Sequence, residues 1–518
     1  MRLRNNRRCG AGLQPRHVGT ITAAAFLLIV TTACSTSPAK VRRQPDTTAI
    51  SGATKALETL RREIDAALAT PQLANSYWGV LVKSLQSGEI LYTKNASKLM
   101  MPASNMKIVT LAAAAEQLGW DFTYETKLFT TGAVNGGVLD GDLVVVGSGD
   151  PSLVAADGMA DRVFGDWAQR LKQRGIRAVS GRVIGDDNGF EEETIGFGWM
   201  WDDLVTYDGA GVGALQYNES AVRVTVTPGP AAGDAAGISI SPSGSGLTIV
   251  NAVTTGAAGA ATSINTRRLA GSMRLELNGA IAAAASPASM SVSVDNPTQF
   301  FVTALRNALI VNGIDVRGPA VDIDDLREAP VASGTPIVSY RSAPLSQLAV
   351  RLMKISQNQY AETLLKTLSA APGVVPTAAA GWKAALAVLE PWGVPAAALV
   401  QRDGSGLTRY DFVTPEALVA ILTHVDRDAR LKGPFEASLP IAGRDGTLAN
   451  RMKGTPAEGN ARAKTGSMTA VRGTSGYVTT ADGEPLVFSI LANNYDIPAS
   501  AITQTEDAII VRLAQFRR

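Results

Sequence analysis

The residues Ser104-Asn105-Met106-Lys107 offer a hydroxyl and an amine three positions apart. An Ala- and Leu-rich run follows as far as Leu118, so the pattern predicts a helix whose first turn carries Ser104. A spacing of three places both side chains on one helical face, within reach of direct proton transfer. The helix N-terminus would add positive potential and free N–H groups where oxyanion charge develops. The pair could therefore act as a serine nucleophile and a lysine base, provided that burial beside another cation keeps the lysine neutral.

A second polar motif, Ser356-Gln357-Asn358, lies in a break between two predicted helices. The Ser356 hydroxyl could relay a proton to a leaving amine, and the Asn358 amide could orient a substrate carbonyl. Taken alone, the motif fits a polar turn between helices equally well.

A third motif, Lys464-Thr465-Gly466-Ser467, leads into the last predicted hairpin. Extended backbone here could pair with a peptide by strand addition. Lys464 and Thr465 could bind the terminal carboxylate of that peptide, and Gly466 would let it approach closely. An exposed turn explains this motif in isolation. Three such motifs in order, on a helix, an interhelical loop and a strand, are much less expected by chance.

The amino-acid composition argues against several other kinds of functional site. Histidine occurs only at His17 and His424, and cysteine only at Cys9 and Cys34. We therefore expect no zinc site built mainly from His and Cys. No other metal and no cofactor are expected either. His424 lies in an ordinary helical pattern and is interpreted as structural. The formal net charge of +2, from 48 basic and 46 acidic residues, argues against a nucleic-acid-binding surface.

Residues 1–34 are typical of an export signal. Several arginines precede an apolar stretch over 18–30, which is too short to span a bilayer. Ala33 before Cys34 resembles a lipobox, although the usual Leu is absent. Two alternatives stay open, simple signal cleavage and a lipoprotein tethered to the membrane through Cys34. In both, a linker over 35–50 follows, and the protein lies in the periplasm or on the outer face of the cell envelope.

The character of the sequence changes twice. Short β-like pieces between Gly, Asp and Ser turns fill residues 123–337. Periodic apolar residues on either side predict helices over 53–69, 345–355, 360–368, 378–389, 415–425 and 501–515. Hairpin patterns occur near both ends, at 77–92 and 474–493. We predict an α/β (α+β) chain in which residues 51–122 and 338–518 form one domain, an antiparallel sheet covered by helices. The mainly β region 123–337 is inserted into it, as one unit or two nested ones.

Together the three motifs resemble those of the penicillin-binding proteins and β-lactamases. Ser104 and Ser356 are 252 residues apart, far more than in a class A β-lactamase. From about Ile64 to the C-terminus the chain resembles the low-molecular-mass class C penicillin-binding proteins, the D-alanyl-D-alanine carboxypeptidase/endopeptidase family. Further family-like stretches are 147–151, 199–207, 403–409 and 439–443. Gln357 stands where the family usually has Asp.

The resemblance also implies roles for single residues. The N–H groups of Ser104 and Ser467 would form the oxyanion hole. The family recognises the free carboxylate and amine of a diamino-acid side chain, and Arg409, Asp186 and Phe190 stand at plausible positions for that pocket. Thr469 stands where some relatives have Gln.

The resemblance therefore implies a serine-type D-Ala-D-Ala carboxypeptidase, a D,D-endopeptidase, or both. It would hydrolyse peptidoglycan stem peptides through an acyl-enzyme on Ser104, with β-lactam antibiotics as covalent inhibitors. One alternative is a β-lactamase-like hydrolase, against which the long insertion argues. The other is a non-catalytic wall-binding protein, and the intact polar residues of all three motifs argue against that.

Overall fold

A computed structural model describes residues 47–269 and 271–518 of the 518-residue chain. The predicted signal peptide, Cys34 and the predicted linker as far as residue 46 lie outside the described residues. The end of that predicted linker, residues 47–50, instead begins the first helix. Among the described residues, no helix has both the length and the apolar character needed to cross a bilayer.

Within this part of the chain the α-helices are α1 (Thr47–Leu68), α2 (Met106–Leu118), α3 (Met159–Gln173), α4 (Pro297–Val311), α5 (Leu345–Lys354), α6 (Asn358–Thr367), α7 (Ala378–Leu389), α8 (Pro415–Arg427), α9 (Ala429–Ser438) and α10 (Ala499–Gln515). The helices predicted from periodicity are all present with ends shifted by a few residues. Helices α3, α4 and α9 are additional to those predicted.

The strands of the described residues are β1 (Tyr77–Ser84), β2 (Ile90–Lys94), β3 (Glu125–Thr130), β4 (Ala133–Asn135), β5 (Val138–Asp140), β6 (Leu143–Val146), β7 (Ala178–Val179), β8 (Val183–Asp186), β9 (Ala221–Thr227), β10 (Gly237–Ser241), β11 (Thr248–Gly256), β12 (Ser263–Arg267), β13 (Arg274–Ala282), β14 (Ala288–Ser293), β15 (Asp315–Val316), β16 (Ala320–Asp322), β17 (Val338–Arg341), β18 (Leu399–Val400), β19 (Phe412–Val413), β20 (Arg462–Met468), β21 (Val471–Thr479) and β22 (Pro485–Asn493).

The central sheet joins strands from both ends of the chain. Its order is β2-β1-β22-β21-β20, and all neighbours are antiparallel. Alternate residues of β22 face opposite sides, as the strand pleat requires. Phe488 and Ile490 pack with residues of α1 and α10, whereas Val487 and Leu491 pack with residues of α2 and α8. Helices thus cover both faces of the sheet.

Helix α2 lies within the core between the sheet and the other helices. Its residues from Met106 to Ala115 are all buried, and most are apolar or small. A helix that is apolar on every side is one that neighbours surround completely. The first turn of α2 is therefore fixed from all directions, which suits it to carry a reactive side chain.

Residues 123–337 form several sheets with two helices. The largest sheet has the order β16-β8-β6-β3-β17, and smaller sheets are β15-β7-β5-β4, β10-β9-β14 and β11-β13-β12. Residues of α3 and α4 share one apolar core with these strands. Strand β17 pairs with β3, so this sheet extends to Arg341, past residue 337 where the predicted insertion ends.

Candidate active site

Ser104 lies in a short 3₁₀ turn, Ala103–Asn105, that runs directly into α2. Ala103 adopts a left-handed backbone with φ of 46°, a strained conformation for a residue other than glycine. The loop 403–411 packs against this turn so closely that a Cβ on Gly406 would lie 1.9 Å from the Ala103 carbonyl oxygen. Gly406 also has a positive φ of 81°, so only glycine fits there.

Lys107 is fully buried and its ammonium has three partners. Its Nζ donates to Ser104 Oγ at 2.9 Å, to Asn358 Oδ1 at 2.6 Å and to the Ser405 carbonyl at 2.9 Å. Burial lowers the pKa of Lys107 to about 8, although nearby carboxylates, Asp403 foremost, oppose the shift. The structure thus brings the first predicted pair together, with the lysine poised to lose its proton near neutral pH.

The second motif joins α5 to α6 beside Lys107. Ser356 has a left-handed backbone with φ of 63°, and Asn358 begins α6. Besides accepting from Lys107, Asn358 donates from Nδ2 to the Asp208 carbonyl at 2.9 Å. The buried Gln357 caps α6, because its Oε1 accepts from the Gln359 N–H at 2.7 Å. An Asp at position 357 could make the same cap, so this departure from the family pattern leaves the two reactive positions in place.

The third motif lies on the edge strand β20. Lys464 is fully buried, and its Nζ donates to Ser356 Oγ at 2.8 Å and to the Thr465 carbonyl at 2.7 Å. Burial, and then the charge of Lys107, hold the pKa of Lys464 well below its usual range. A Cβ on Gly466 would lie 2.5 Å from the Pro102 carbonyl oxygen, so the strand could not approach the nucleophile turn with a larger residue there.

A cavity of about 610 Å³ opens over these motifs. Of the predicted site residues, it is lined by Ser104, Ser356, Asn358, Arg409, Thr465 and Ser467. Arg409 Nη2 donates to the Thr469 carbonyl at 3.0 Å. Asp202, Asp203, Tyr207, Asp208 and Thr447 also line the cavity and were not predicted as site residues. Most of them lie in or next to the family-like stretch 199–207, which was the one available signal.

Asp186 and Phe190 lie away from this cavity. Asp186 ends β8, accepts from the Asn188 N–H and lines a separate cavity with Phe129. Phe190 is buried with its ring 5.9 Å from Lys366 Nζ. After Phe190, the next residue along the chain that lines the cavity over Ser104 is Met200. The acidic groups that line this cavity therefore come from the segment that begins there.

His424 is also remote from the cavity. It lies on α8, and its ring stacks on Trp392 with centroids 3.9 Å apart. This contact fits the structural interpretation of His424.

Comparison with known proteins decides the family. The sequence profile of the D-Ala-D-Ala carboxypeptidase 3 (S13) family matches residues 60–516. The chain belongs to this family. A D-alanyl-D-alanine carboxypeptidase from an Actinomadura strain is 35% identical over 478 residues, which are 89% of this chain and 85% of that protein. The carboxypeptidase DacB of Haemophilus influenzae is 27% identical over 421 residues, or 80% and 85% of the two chains.

The fold leads to the same family. The crystal structure of penicillin binding protein 4 (dacB) from Haemophilus influenzae superposes with a TM-score of 0.76 at 25% identity, covering 88% of this chain and 99% of that one. The predicted enzyme class, a serine-type D-alanyl-D-alanine carboxypeptidase among the penicillin-binding proteins, is confirmed. The predicted α/β fold, an antiparallel sheet covered by helices, is confirmed as well.

Proposed function

We propose that this family member cleaves the terminal D-alanyl bond of peptidoglycan stem peptides through an acyl-enzyme on Ser104. The contact between Ser104 Oγ and Lys107 Nζ, 2.9 Å long, carries the proposal. A lysine with a pKa of about 8 is neutral in roughly a tenth of molecules at pH 7. That fraction can accept the Ser104 proton as the oxygen attacks the carbonyl carbon, and the N–H groups of Ser104 and Ser467 would hold the oxyanion.

Departure of the amine uses the second and third motifs. Ser356 Oγ gives its proton to the leaving nitrogen and is reprotonated from Lys464 Nζ, which lies 2.8 Å away. Asn358 holds Lys107 in position through Oδ1, and the second hydrogen on its Nδ2 can orient a substrate carbonyl. Lys464 and Thr465 bind the terminal carboxylate. Water then attacks the acyl-enzyme and gives a proton through Ser356 back to Lys464, while Ser104 leaves with the proton held by Lys107. The shortened peptide is released and both lysines return to their starting protonation states.

The far end of the cavity suits a side chain that ends in both an amine and a carboxylate. Arg409 supplies a positive charge there, and Asp202 and Asp203 supply negative charges. Burial raises the pKa of Asp203, and the Arg409 charge opposes this shift, so the two groups are electrostatic neighbours. We propose that the diamino-acid side chain of the stem peptide binds between them, with the acidic part provided by segment 199–208 of the insertion 123–337.

We also propose that residues 1–34 direct export, so that the enzyme works on the cell wall outside the cytoplasmic membrane. The basic and apolar leader supports export. Palmitate incorporation that disappears in Cys34→Ala would establish a lipid anchor, and its absence in the parent protein would establish simple cleavage.

The first experiment treats the purified chain with a labelled penicillin and maps the adduct by peptide mass spectrometry. We expect a slowly released adduct on Ser104 that is absent in Ser104→Ala. Rapid penicillin turnover without an adduct would favour a β-lactamase, and a folded but unreactive chain would favour a wall-binding protein. Pentapeptides and cross-linked dimers offered in parallel would separate carboxypeptidase from endopeptidase activity.

A further inference from the structure

Three carboxylates that none of the motifs contains are buried around the loop that contacts Lys107. Asp403 and Asp411 are fully buried, and Glu362 is 4% exposed. None of them lines the cavity over Ser104. Burying three acids in one place is costly unless each is hydrogen-bonded or neutral. The contacts of these three show what they hold in place.

Glu362 lies one turn after Asn358 on α6. Its two carboxylate oxygens accept from the Gly404 N–H at 2.8 Å and the Ser405 N–H at 2.7 Å. The carbonyl of Ser405 in turn accepts from Lys107 Nζ. Helix α6 therefore fixes Lys107 twice, directly through Asn358 and indirectly through the peptide that Glu362 anchors.

Asp403 folds the same loop into a tight turn. It accepts from the Gly406 N–H at 2.6 Å, the Thr408 N–H at 2.7 Å and Trp199 Nε1 at 3.0 Å. The loop residue that follows Thr408 is Arg409, and Trp199 precedes the acidic segment of the cavity. Asp403 thus connects the segment that begins at Trp199 and the loop that carries Arg409. The same loop presents the Ser405 carbonyl to Lys107.

Asp411 adjoins Asp403, and its surroundings favour the protonated form of its carboxyl. Its Oδ1 accepts from the Arg402 N–H at 2.5 Å, whereas its Oδ2 meets no donor among the described residues. Burial and the neighbouring Asp403 raise the pKa of Asp411 well above its usual range, since two adjacent buried carboxyls do not both ionise. Burial also raises the pKa of Glu362 to about 8. Both raised pKa values favour the neutral acids, so Asp411 and Glu362 carry less negative charge at neutral pH than exposed carboxyls would.

We propose that Asp403 and Glu362 are positioning residues for Lys107: they fix the Ser405 carbonyl against its ammonium, and their charge sets how readily it gives up its proton. This inference rests on the proposed base role of Lys107. The titratable groups that face Lys107 are Asp403, Glu362, Asp208, Asp411 and Lys464.

The test is the rate constant for acylation of the full chain by penicillin between pH 5 and 9. The rate rises with pH as Lys107 loses its proton. Asp403→Asn removes a negative charge that favours the protonated lysine. The rising limb of the curve of acylation rate against pH should therefore move to lower pH by about one unit. Glu362→Gln should move it in the same direction by less, because Glu362 is only partly ionised. A purely structural role would lower the rate at every pH without moving the limb.

Two matched variants serve as controls. Asp411→Asn changes a carboxyl whose raised pKa favours the neutral acid, so the limb should move less than in Asp403→Asn. Glu506→Gln changes another buried carboxylate, 1% exposed and paired with Arg451, in a different part of the core.

An unmoved limb in both Asp403→Asn and Glu362→Gln would overturn the inference, as would an equal shift in Glu506→Gln. If Asp403→Asn does not fold, Glu362→Gln carries the test. A parent chain that shows no acylation of Ser104 would overturn the proposed function, and this inference with it.

Discussion

The two ends of the cavity are built differently. The reaction end consists of Ser104, Lys107, Ser356 and Lys464, which stand where α2, the α5–α6 junction and β20 begin or meet. Both lysines are fully buried. The recognition end, with Arg409, Asp202 and Asp203, consists of loops and a short 3₁₀ turn, and its neighbours Trp201 and Tyr410 are 64% and 56% exposed.

This difference separates chemistry from selectivity. In the reaction end, burial is what lowers the pKa of the two lysines, so its residues must be held by regular elements on every side. In the recognition end, charges remain partly hydrated and act by complementing a substrate that bears opposite charges. Changes at the reaction end should therefore abolish turnover of every substrate, and changes at the recognition end should discriminate among substrates.

The largest effect is expected from Lys107→Ala. Removing the base leaves Ser104 protonated, and we expect penicillin acylation and peptide hydrolysis to fall by about a thousandfold or more. Stopped-flow acylation measures this loss. Lys366→Ala is the matched control, since it removes another buried lysine that donates to backbone carbonyls, those of Glu193 and Val212. An equal loss in Lys366→Ala would show that the removal of any buried lysine, and not the removal of the base, explains the effect.

A smaller loss is expected from Lys464→Ala. Ser356 loses its proton source, and we expect kcat/KM for D-Ala-D-Ala peptides to fall by about a hundredfold. Steady-state kinetics with a pentapeptide measures it. Lys354→Ala removes a neighbouring lysine that binds Asp445, and should affect mainly stability. Unchanged turnover in Lys464→Ala would show that the second and third motifs take no part in the mechanism.

At the recognition end, Arg409→Ala should act selectively. We expect kcat/KM to fall about tenfold for peptides with a free diamino-acid side chain, the scale of one lost charge-assisted contact. Acylation by penicillin should change by less than about twofold, because it uses the reaction end alone. Arg402→Ala, whose guanidinium stacks on Trp382 with 4.7 Å to the ring centroid, is the control from the same loop. A uniform loss on all substrates would contradict the division of the cavity.

The smallest effect concerns stability. The folded pKa of Glu362, about 8, lies above its unfolded value, so the native state holds this proton between about pH 4.5 and 8 while the unfolded chain has lost it. The Glu362 contribution to the free energy of unfolding therefore declines as pH rises through this window. Glu362→Gln should flatten the decrease of Tm between pH 5 and 8, measured by calorimetry. Parallel curves for the parent and the variant would show that Glu362 is ionised in the folded protein.

The sequence was most informative about the reaction end. Ser104 and Lys107 share a helical face, and Lys464 lies on a strand before a hairpin, so local periodicity was enough to place them. The contact between Lys464 and Ser356 spans 108 residues and needed the family resemblance. Outside the motifs the signals weaken. Helix α3 is amphipathic, with Phe164 and Trp167 in the core, yet it lies among Gly-rich turns that indicated strands.

The recognition end could not be derived in the same way. Asp186 and Asp203 are both acids near turns, and sequence spacing alone does not say which one the chain path carries to the cavity. Position there is set by long-range contacts, such as that between Trp199 and Asp403. Trp199 and Asp403 each lie in a family-like stretch, but their separation of 204 positions gives no local pattern that pairs them.

The central sheet combines strands from both ends of the chain, and this has a consequence for how the protein folds during synthesis. Strand β1 pairs along its whole length with β22, so the N-terminal hairpin can complete its pairing only with residues synthesised more than 400 positions later (the Tyr77–Asn493 pair is the most distant). Contacts this far apart in sequence form slowly, and the unpaired edge is exposed to aggregation until they do. Residues 123–341, whose own sheets close among themselves, can fold while the chain is still emerging. The nucleophile turn can reach its working shape only after β22 has been synthesised, which defers activity to the end of synthesis.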